Sequence, residues 1–247
     1  MMSSLPTSSV RWGLSRPVRF QKLALKPDEV WAIAGKRGTG KSYFGRYLLR
    51  GWYGAGTPER FWPILIIDQD QKWLKHARGK VGFAEKPELS TVEQPWNITA
   101  TGRLEPRARV MIFEPEIPAW QDERFLVLMQ EVFHYENIIL YFDELFGVVE
   151  NQHAPVIVRK LWTSGRKKNI AIIACFQRPV DIPKVVLNQA DNFAVFHLAD
   201  PADREKLAGI MGDPQVNREI DYYWHWEKLA SERRARLVGP LPESEVR

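Results

Sequence analysis

The segment GKRGTGKS, residues 35–42, matches the pattern G-x-x-x-x-G-K-S/T at every fixed position. Glycines at positions 35, 38 and 40 leave room for backbone N–H groups to turn inward around a phosphate chain. Lys41 is then placed to reach the β- and γ-phosphates, and Ser42 to ligate Mg²⁺. We expect the whole loop to bind a nucleotide such as ATP, through Gly35, Lys36, Arg37, Gly38, Thr39, Gly40, Lys41 and Ser42.

The residues on either side of this loop have the pattern that a phosphate-binding loop requires. Residues 29–34 (EVWAIA) form a short apolar run, and residues 43–50 place Phe44, Tyr47 and Leu48 at helical spacing. The order strand, loop, helix disfavours the alternative, which is a chance match in a glycine-rich turn.

Apolar runs alternate with helical patterns along most of the chain. We predict further strands at residues 61–67, 109–113, 137–142, 169–176 and 192–197, and helices at 122–133, 154–163, 182–189 and 201–211. The composition of residues 79–106 predicts irregular structure, and residues 221–226 and 233–238 predict a C-terminal β-hairpin. Because the central strands are apolar throughout, we expect an α/β fold with a mostly parallel sheet and helices on both faces.

Two carboxylates follow the predicted strand at residues 137–142. Asp143 is the expected Walker B metal ligand and Glu144 the residue that orients or deprotonates water, because strand ends in a parallel sheet meet at one crevice. The alternative, a surface Asp-Glu pair at a helix start, is disfavoured by the loop upstream. Gln177 directly follows the 169–176 strand and is a candidate sensor of the γ-phosphate, with an amide that caps the next turn as the alternative.

A basic turn, TSGRKK at residues 163–168, precedes the same strand. A solvated surface is its ordinary interpretation. The functional alternative is an arginine finger, in which Arg166 stabilises charge on the phosphoryl group transferred in a neighbouring subunit. Arg178 is the rival for this role. Candidates for DNA phosphate contacts, again with solvation as the alternative, are Lys72, Lys75, Arg78, Lys80, Lys167 and Lys168.

Composition bounds the remaining possibilities. The net charge is +5, and the acid-free residues 1–27 account for all of it, leaving the other residues formally neutral. We predict a basic arm or tail at 1–27, one α/β domain at 28–240 and a short tail at 241–247. The sequence contains no run of 18 apolar residues, so we predict no membrane-spanning segment. The single cysteine, Cys175, excludes an internal disulfide and favours a reducing compartment.

These motifs in this order resemble the FtsK/HerA superfamily of P-loop DNA-pumping ATPases, particularly its compact viral genome-packaging members. The matching segments are GKRGTGKS at 35–42, IIDQD at 66–70, ILYFDE at 139–144, TSGRKKNIAIIACFQRPVDIP at 163–183 and NQADNFAVFHLADPADREKLAGIMG at 188–212. The resemblance implies a RecA-like ATPase domain that binds ATP and Mg²⁺ and works as a ring, usually a hexamer, around double-stranded DNA. It also implies a capsid or portal-vertex partner, and a location in the host cytoplasm or virion.

Departures from the family narrow the expected role. These 247 residues contain no counterpart of the membrane and linker domains of chromosome-segregation pumps, or of the barrel domain of repair members. This favours a minimal packaging motor. Two alternatives stay open: a phage-assembly or conjugation ATPase of the same superfamily, and a P-loop kinase for a small molecule. The adjacent Asp143 and Glu144 suit water activation better than transfer of phosphate to a metabolite.

Overall fold

The computed structural model describes residues 23, 26, 28–55, 62–70, 89–91, 96–98, 104–106, 110–150 and 152–242. The strands are β1 (Val30–Ala34), β2 (Ile64–Ile67), β3 (Leu89–Thr91), β4 (Trp96–Ile98), β5 (Leu104–Pro106), β6 (Val110–Phe113), β7 (Ile138–Phe142), β8 (Ile170–Phe176), β9 (Asn192–Phe196), β10 (His225–Lys228) and β11 (Arg236–Val238). The α-helices are α1 (Lys41–Ala55), α2 (Glu123–Tyr135), α3 (Val156–Ser164), α4 (Lys184–Leu187) and α5 (Pro201–Met211).

Nine of these strands form one sheet in the order β11-β10-β9-β1-β8-β7-β2-β6-β3, and β4 pairs with β5 separately. The seven strands from β9 to β3 are parallel, whereas β10 runs antiparallel to both β9 and β11. The predicted fold class, a mostly parallel α/β sheet with a C-terminal β-hairpin, is confirmed. The carboxyl ends of β1, β8, β7 and β2 consequently meet at one edge of the sheet.

Helices cover both faces of the sheet, and each face has its own hydrophobic core. In β1, Trp31 and Ile33 pack in the core beneath α1. Val30, Ala32 and Ala34 point to the opposite face and pack in the core that α2, α3, α4 and α5 cover. Because alternate strand residues face opposite sides, a central strand buried on both faces must be apolar at every position, as the sequence of β1 is.

The prediction of irregular structure across residues 79–106 is wrong at three places. β3, β4 and β5 lie within this range, and β3 extends the main sheet by pairing in parallel with β6. Each of these strands has three residues, which is too short to show the periodic pattern from which a strand is predicted.

The first strand of the C-terminal hairpin begins later than predicted. Residues 221–224 form a turn, in which Tyr223 has φ +69°, and β10 starts at His225. His225, Trp226 and Glu227 are all buried, so β10 does not alternate buried and exposed side chains as a strand with one solvent-facing side does. The reason is that β10 lies between β9 and β11, with side chains packed on both of its faces.

The predicted basic arm at residues 1–27 lies outside the described residues apart from Leu23 and Lys26. The backbone N–H of Leu23 donates to the Tyr47 hydroxyl at 2.9 Å, and the Leu23 side chain packs beside the α1 core. The candidate DNA contacts Lys72, Lys75, Arg78 and Lys80 also lie outside them. None of the helices that the structure describes is long and apolar enough to cross a bilayer.

Candidate active site

The loop of residues 35–42 connects β1 to α1 and is fixed to both strands beside β1. Gly35 N–H donates to the carbonyl of Phe176 at the end of β8 (3.1 Å), and Lys36 N–H donates to the carbonyl of His197 after β9 (2.9 Å). The buried Thr39 closes the loop by donating from Oγ1 to the Lys36 carbonyl at 2.7 Å. The hydroxyl of Thr39 is therefore used inside the loop, and its contribution to a ligand would come from its backbone.

Two glycines of the loop adopt conformations that other residues rarely adopt. Gly38 has φ +82° and Gly40 has φ +111°. Gly35 is required for a different reason: a Cβ there would lie 2.7 Å from both Cβ of Phe196 and Oγ1 of Thr39. The three glycines of the motif thus let the loop turn tightly and pack closely on β9.

A cavity of about 410 Å³ opens beside the loop and collects the predicted site residues. It is lined by Arg37, Gly38, Lys41, Ser42, Tyr43, Arg46, Asp70, Asp143, Glu144 and Gln177. The side chains of Lys41 and Asp143 are largely buried, at 8% and 9% exposed. The structure therefore brings the loop, both Walker B carboxylates and the candidate sensor together at the carboxyl edge of β1, β7 and β8.

Glu144 and Gln177 are hydrogen-bonded across the ends of neighbouring strands. Gln177 Nε2 donates to Oε2 of Glu144 at 2.7 Å. The second oxygen, Oε1, is buried and receives no hydrogen bond from the described side chains. Burial raises the pKa of Glu144, although the Gln177 hydrogen bond and the charge of Lys41 oppose the rise. A carboxylate with a raised pKa and one uncommitted oxygen is suited to accept a proton from water.

Asp143 is held from behind by a tyrosine that sequence reasoning missed. The hydroxyl of Tyr141, on β7, donates to Oδ1 of Asp143 at 3.1 Å and lies 3.5 Å from Sγ of Cys175. Burial raises the pKa of Tyr141 well above its usual range and that of Cys175 to about 12, so both groups stay protonated at neutral pH. Because the single hydroxyl hydrogen of Tyr141 is donated to Asp143, the thiol of Cys175 is the donor in its contact with the tyrosine oxygen.

Three further cavity residues were also absent from the sequence prediction. Asp70 follows β2, the strand next to β7, so the rule that placed Asp143 at the carboxyl edge could have found it. Tyr43 and Arg46 lie in the first turns of α1, directly after Ser42. They could have been found from helix position alone, since this end of α1 faces the cavity.

The two candidate arginine fingers are placed differently. Arg166 lies before β8, at the opposite edge of the sheet from the cavity, and pairs with Asp28 (3.1 Å) and Asp191 (3.2 Å). Arg178 follows Gln177 and pairs with Asp200 (3.2 Å) and Asp203 (3.0 Å). Arg166 therefore cannot serve the cavity of its own chain.

The neighbouring lysines of the basic turn also differ in their surroundings. Lys167 is exposed, while Lys168 forms an ion pair with Glu136 and lies 5.0 Å from the ring centroid of Phe133. Of this pair of candidate DNA contacts, Lys167 is the one directed toward solvent.

Comparison with known proteins identifies the fold. No protein-family model matches the chain. Over 100 residues, 40% of this chain, it is 30% identical to the DNA packaging ATPase P9 of Enterobacteria phage PRD1, and the match spans 42% of that protein. The fold resembles the genome packaging NTPase B204 of Sulfolobus turreted icosahedral virus 2, solved in complex with ATP-gammaS. The TM-score is 0.68 at 16% identity, covering 88% of this chain and 100% of that one.

The chain has the fold of a viral genome-packaging NTPase. It is also similar to the ATPase region of EssC from Geobacillus thermodenitrificans, with a TM-score of 0.56 and 18% identity over 85% of this chain and 39% of that one. The resemblance to compact viral packaging ATPases that the motifs predict is confirmed by the sequence similarity to phage P9 and by the fold shared with B204.

Proposed function

We propose that this chain hydrolyses ATP and uses the energy to translocate double-stranded DNA during packaging of a viral genome. The observation that carries the hydrolytic part is the hydrogen bond between Glu144 and Gln177 beside Lys41 in one cavity. The DNA part is supported by the packaging role named for phage P9 and for B204.

The geometry supports a simple division of labour during hydrolysis. Glu144 accepts the proton of the attacking water through Oε1 while the water oxygen bonds to the γ-phosphorus. The bond between that phosphorus and the β–γ bridging oxygen breaks, and ADP leaves with the electron pair. Gln177 holds Glu144 in place, and Lys41 neutralises charge on the phosphates. Because Gln177 contacts both Glu144 and the cavity, it couples the state of the γ-phosphate to the base.

The oxygen donors in the cavity fit Mg²⁺. Ser42 and Asp143 line the same cavity, and Mg²⁺ is usually held by one or two such protein ligands together with substrate phosphates and water. No group of three or more His, Cys, Asp or Glu in the described part of the chain could hold a metal ion by itself. When bound with ATP, the ion would supply positive charge against the phosphate oxygens.

The motor is expected to act as a homo-oligomeric ring, which we propose is a hexamer, docked to a capsid or portal-vertex protein in the host cytoplasm or the virion. Within a ring, Arg166 is our candidate for a finger that reaches the next subunit, because it lies at the edge of the sheet away from its own cavity. Its two ion pairs, with Asp28 and Asp191, are exposed to solvent, and pairs of this kind contribute about 0–1 kcal/mol to stability. They would therefore not prevent Arg166 from leaving them to contact a nucleotide in the next subunit.

Translocation is tested by displacement of a third strand from a triplex placed downstream on duplex DNA. The wild-type chain should release the strand only when ATP is supplied, and Lys41→Ala should release none. Hydrolysis without displacement on any duplex would contradict translocation and favour the small-molecule kinase or another cargo.

A further inference from the structure

Two exposed aromatic side chains lie beside the phosphate-binding loop, on the side away from the Walker B carboxylates. Tyr222 and Tyr223 precede β10, and they are 46% and 53% exposed. Neither is needed for the hydrophobic cores described above. A tyrosine ring has two flat apolar faces, and half-exposed rings such as these leave part of that area available to a ligand.

Tyr223 contacts the loop directly, and Tyr222 is connected to it through His197. Tyr223 N–H donates to the carbonyl of Thr39 at 3.2 Å, and its ring atom Cδ1 lies 3.5 Å from the position that a Cβ on Gly40 would occupy. The Tyr222 ring stacks on His197, with centroids 4.8 Å apart and planes 22° apart. The carbonyl of His197 in turn accepts the N–H of Lys36 at 2.9 Å.

The backbone of Tyr223 is held in a conformation that favours glycine. Its φ of +69° lies in the left-handed region, which a bulky residue rarely occupies. Outliers of this kind persist only where surrounding contacts impose them, and they cluster at ligand-binding sites. In this conformation the N–H of Tyr223 donates to the Thr39 carbonyl, and the tyrosine ring lies against the loop.

The sheet order fixes which end of a nucleotide would lie near this ring. The γ-phosphate end must face Glu144 and Gln177, which follow β7 and β8. The turn carrying the tyrosines leads into β10, on the other side of β1 in the order β10-β9-β1-β8-β7. A phosphate chain held by the loop with its γ end at Glu144 therefore directs its nucleoside toward the tyrosines.

We propose that Tyr223, supported by Tyr222 and its stacking partner His197, is the surface on which the nucleobase stacks. This inference rests on the proposed ATPase function and deepens it. A flat ring open on one face offers stacking area to any base and reads no hydrogen-bonding pattern, so this surface contributes affinity with little discrimination between ATP and GTP.

The test compares two ligands that share a phosphate chain. Mg²⁺-ATP and Mg²⁺-triphosphate, which has no nucleoside, are titrated calorimetrically into the full-length chain and into Tyr223→Ala. Alanine keeps a Cβ and hence a similar backbone preference at φ +69°, so the substitution removes the ring alone. We expect Tyr223→Ala to weaken ATP binding about tenfold and leave triphosphate binding unchanged. Tyr223→Phe, which keeps the flat ring, should bind ATP as tightly as the wild type. Tyr223→Leu, whose side chain is apolar but not flat, should bind ATP as weakly as Tyr223→Ala.

The other outcomes separate this inference from the proposed function. Equal weakening of both ligands would mean that Tyr223 only supports the loop, and it would overturn the inference. Unchanged binding of both ligands, with or without a change in oligomeric mass, would overturn it in favour of a solvated or subunit-contact surface. A wild-type chain that binds triphosphate and ATP equally well would also refute it. Failure of the wild type to bind either ligand would refute the proposed function itself.

Discussion

Substitution of Tyr141 by phenylalanine removes the hydroxyl that donates to the expected metal ligand, Asp143. The ring stays in place, because it packs against Gly45 so closely that a Cβ there would lie 2.7 Å from Cε2 of Tyr141. The hydroxyl is lost, and with it the 3.1 Å hydrogen bond to Oδ1 of Asp143 and the 3.5 Å contact with Sγ of Cys175, which lies outside the cavity lining. Both side chains are buried, so water cannot readily replace the donor.

The size of the effect follows from the charge on the acceptor. A hydrogen bond to a charged group contributes about 1.5–3 kcal/mol, and about 1.4 kcal/mol corresponds to a tenfold change in an equilibrium constant. If the hydroxyl keeps Asp143 oriented toward Ser42, its loss should raise the Mg²⁺ concentration for half-maximal ATP hydrolysis at least about tenfold. The rate at saturating Mg²⁺ should approach that of the wild type.

The chain supplies a matched control for this measurement. Tyr47 is a second buried tyrosine in the same core; its hydroxyl accepts a hydrogen bond from the backbone N–H of Leu23, and it is not among the residues that line the cavity. Tyr47→Phe should lower the melting temperature without altering the Mg²⁺ dependence of hydrolysis. If Tyr141→Phe and Tyr47→Phe gave the same Mg²⁺ dependence, Tyr141 would have no positioning role and the argument would be refuted.

Three further predictions concern the phosphate-binding loop, the general base Glu144 and the ring of subunits. A Cβ on Gly35 would collide with Phe196 and Thr39. Gly35→Ala should therefore lower the free energy of unfolding by about 1–3 kcal/mol and abolish nucleotide binding. The control is Gly209→Ala on α5, where an added Cβ would meet no atom within 4 Å. Because burial raises the Glu144 pKa, the charged form destabilises the fold at neutral pH. Glu144→Gln should therefore raise the melting temperature at pH 7 while abolishing hydrolysis, with no gain below about pH 4, where the wild-type carboxyl is also neutral; a lower melting temperature at pH 7 would contradict this. Arg166→Ala subunits mixed into wild-type rings should reduce hydrolysis beyond simple dilution, whereas a proportional decline would argue against a finger.

Much of the fold could be predicted because its central strands are apolar at every position. β1, β7 and β8 are buried on both faces, so their sequences stand out from the helices between them. The start of the 201–211 helix also follows a local rule, because Asp200 is a residue type preferred before a helix and accepts a hydrogen bond from the N–H of Ala202. Local composition failed where elements are three residues long, as in β3, β4 and β5.

The site was predictable where a motif or the strand-end rule applied. Lys41, Asp143, Glu144 and Gln177 line one cavity as that rule requires. The role of Tyr141 was hidden because a tyrosine within an apolar strand looks like any core residue. Its hydroxyl matters only because the side chain points to the same face as Asp143, two residues later, and reaches it.

The surface of Tyr223 was hidden for another reason. The sequence predicts a strand at residues 221–226, in which successive side chains would point to opposite faces of the sheet. Tyr223 instead has a positive φ and donates a hydrogen bond to Thr39, far away in the sequence, so the chain turns here before β10 begins. No local pattern encodes a contact between residues this distant.

The central claim is that hydrolysis by Glu144 is coupled to duplex DNA. The direct measurement is the steady-state rate of ATP hydrolysis by the full-length chain with and without duplex DNA, beside Glu144→Gln. The account predicts that duplex DNA accelerates the wild type, and that Glu144→Gln is at least about a hundredfold slower under both conditions, since loss of a general base typically costs that much. Hydrolysis that is indifferent to DNA, or that survives in Glu144→Gln, would contradict it.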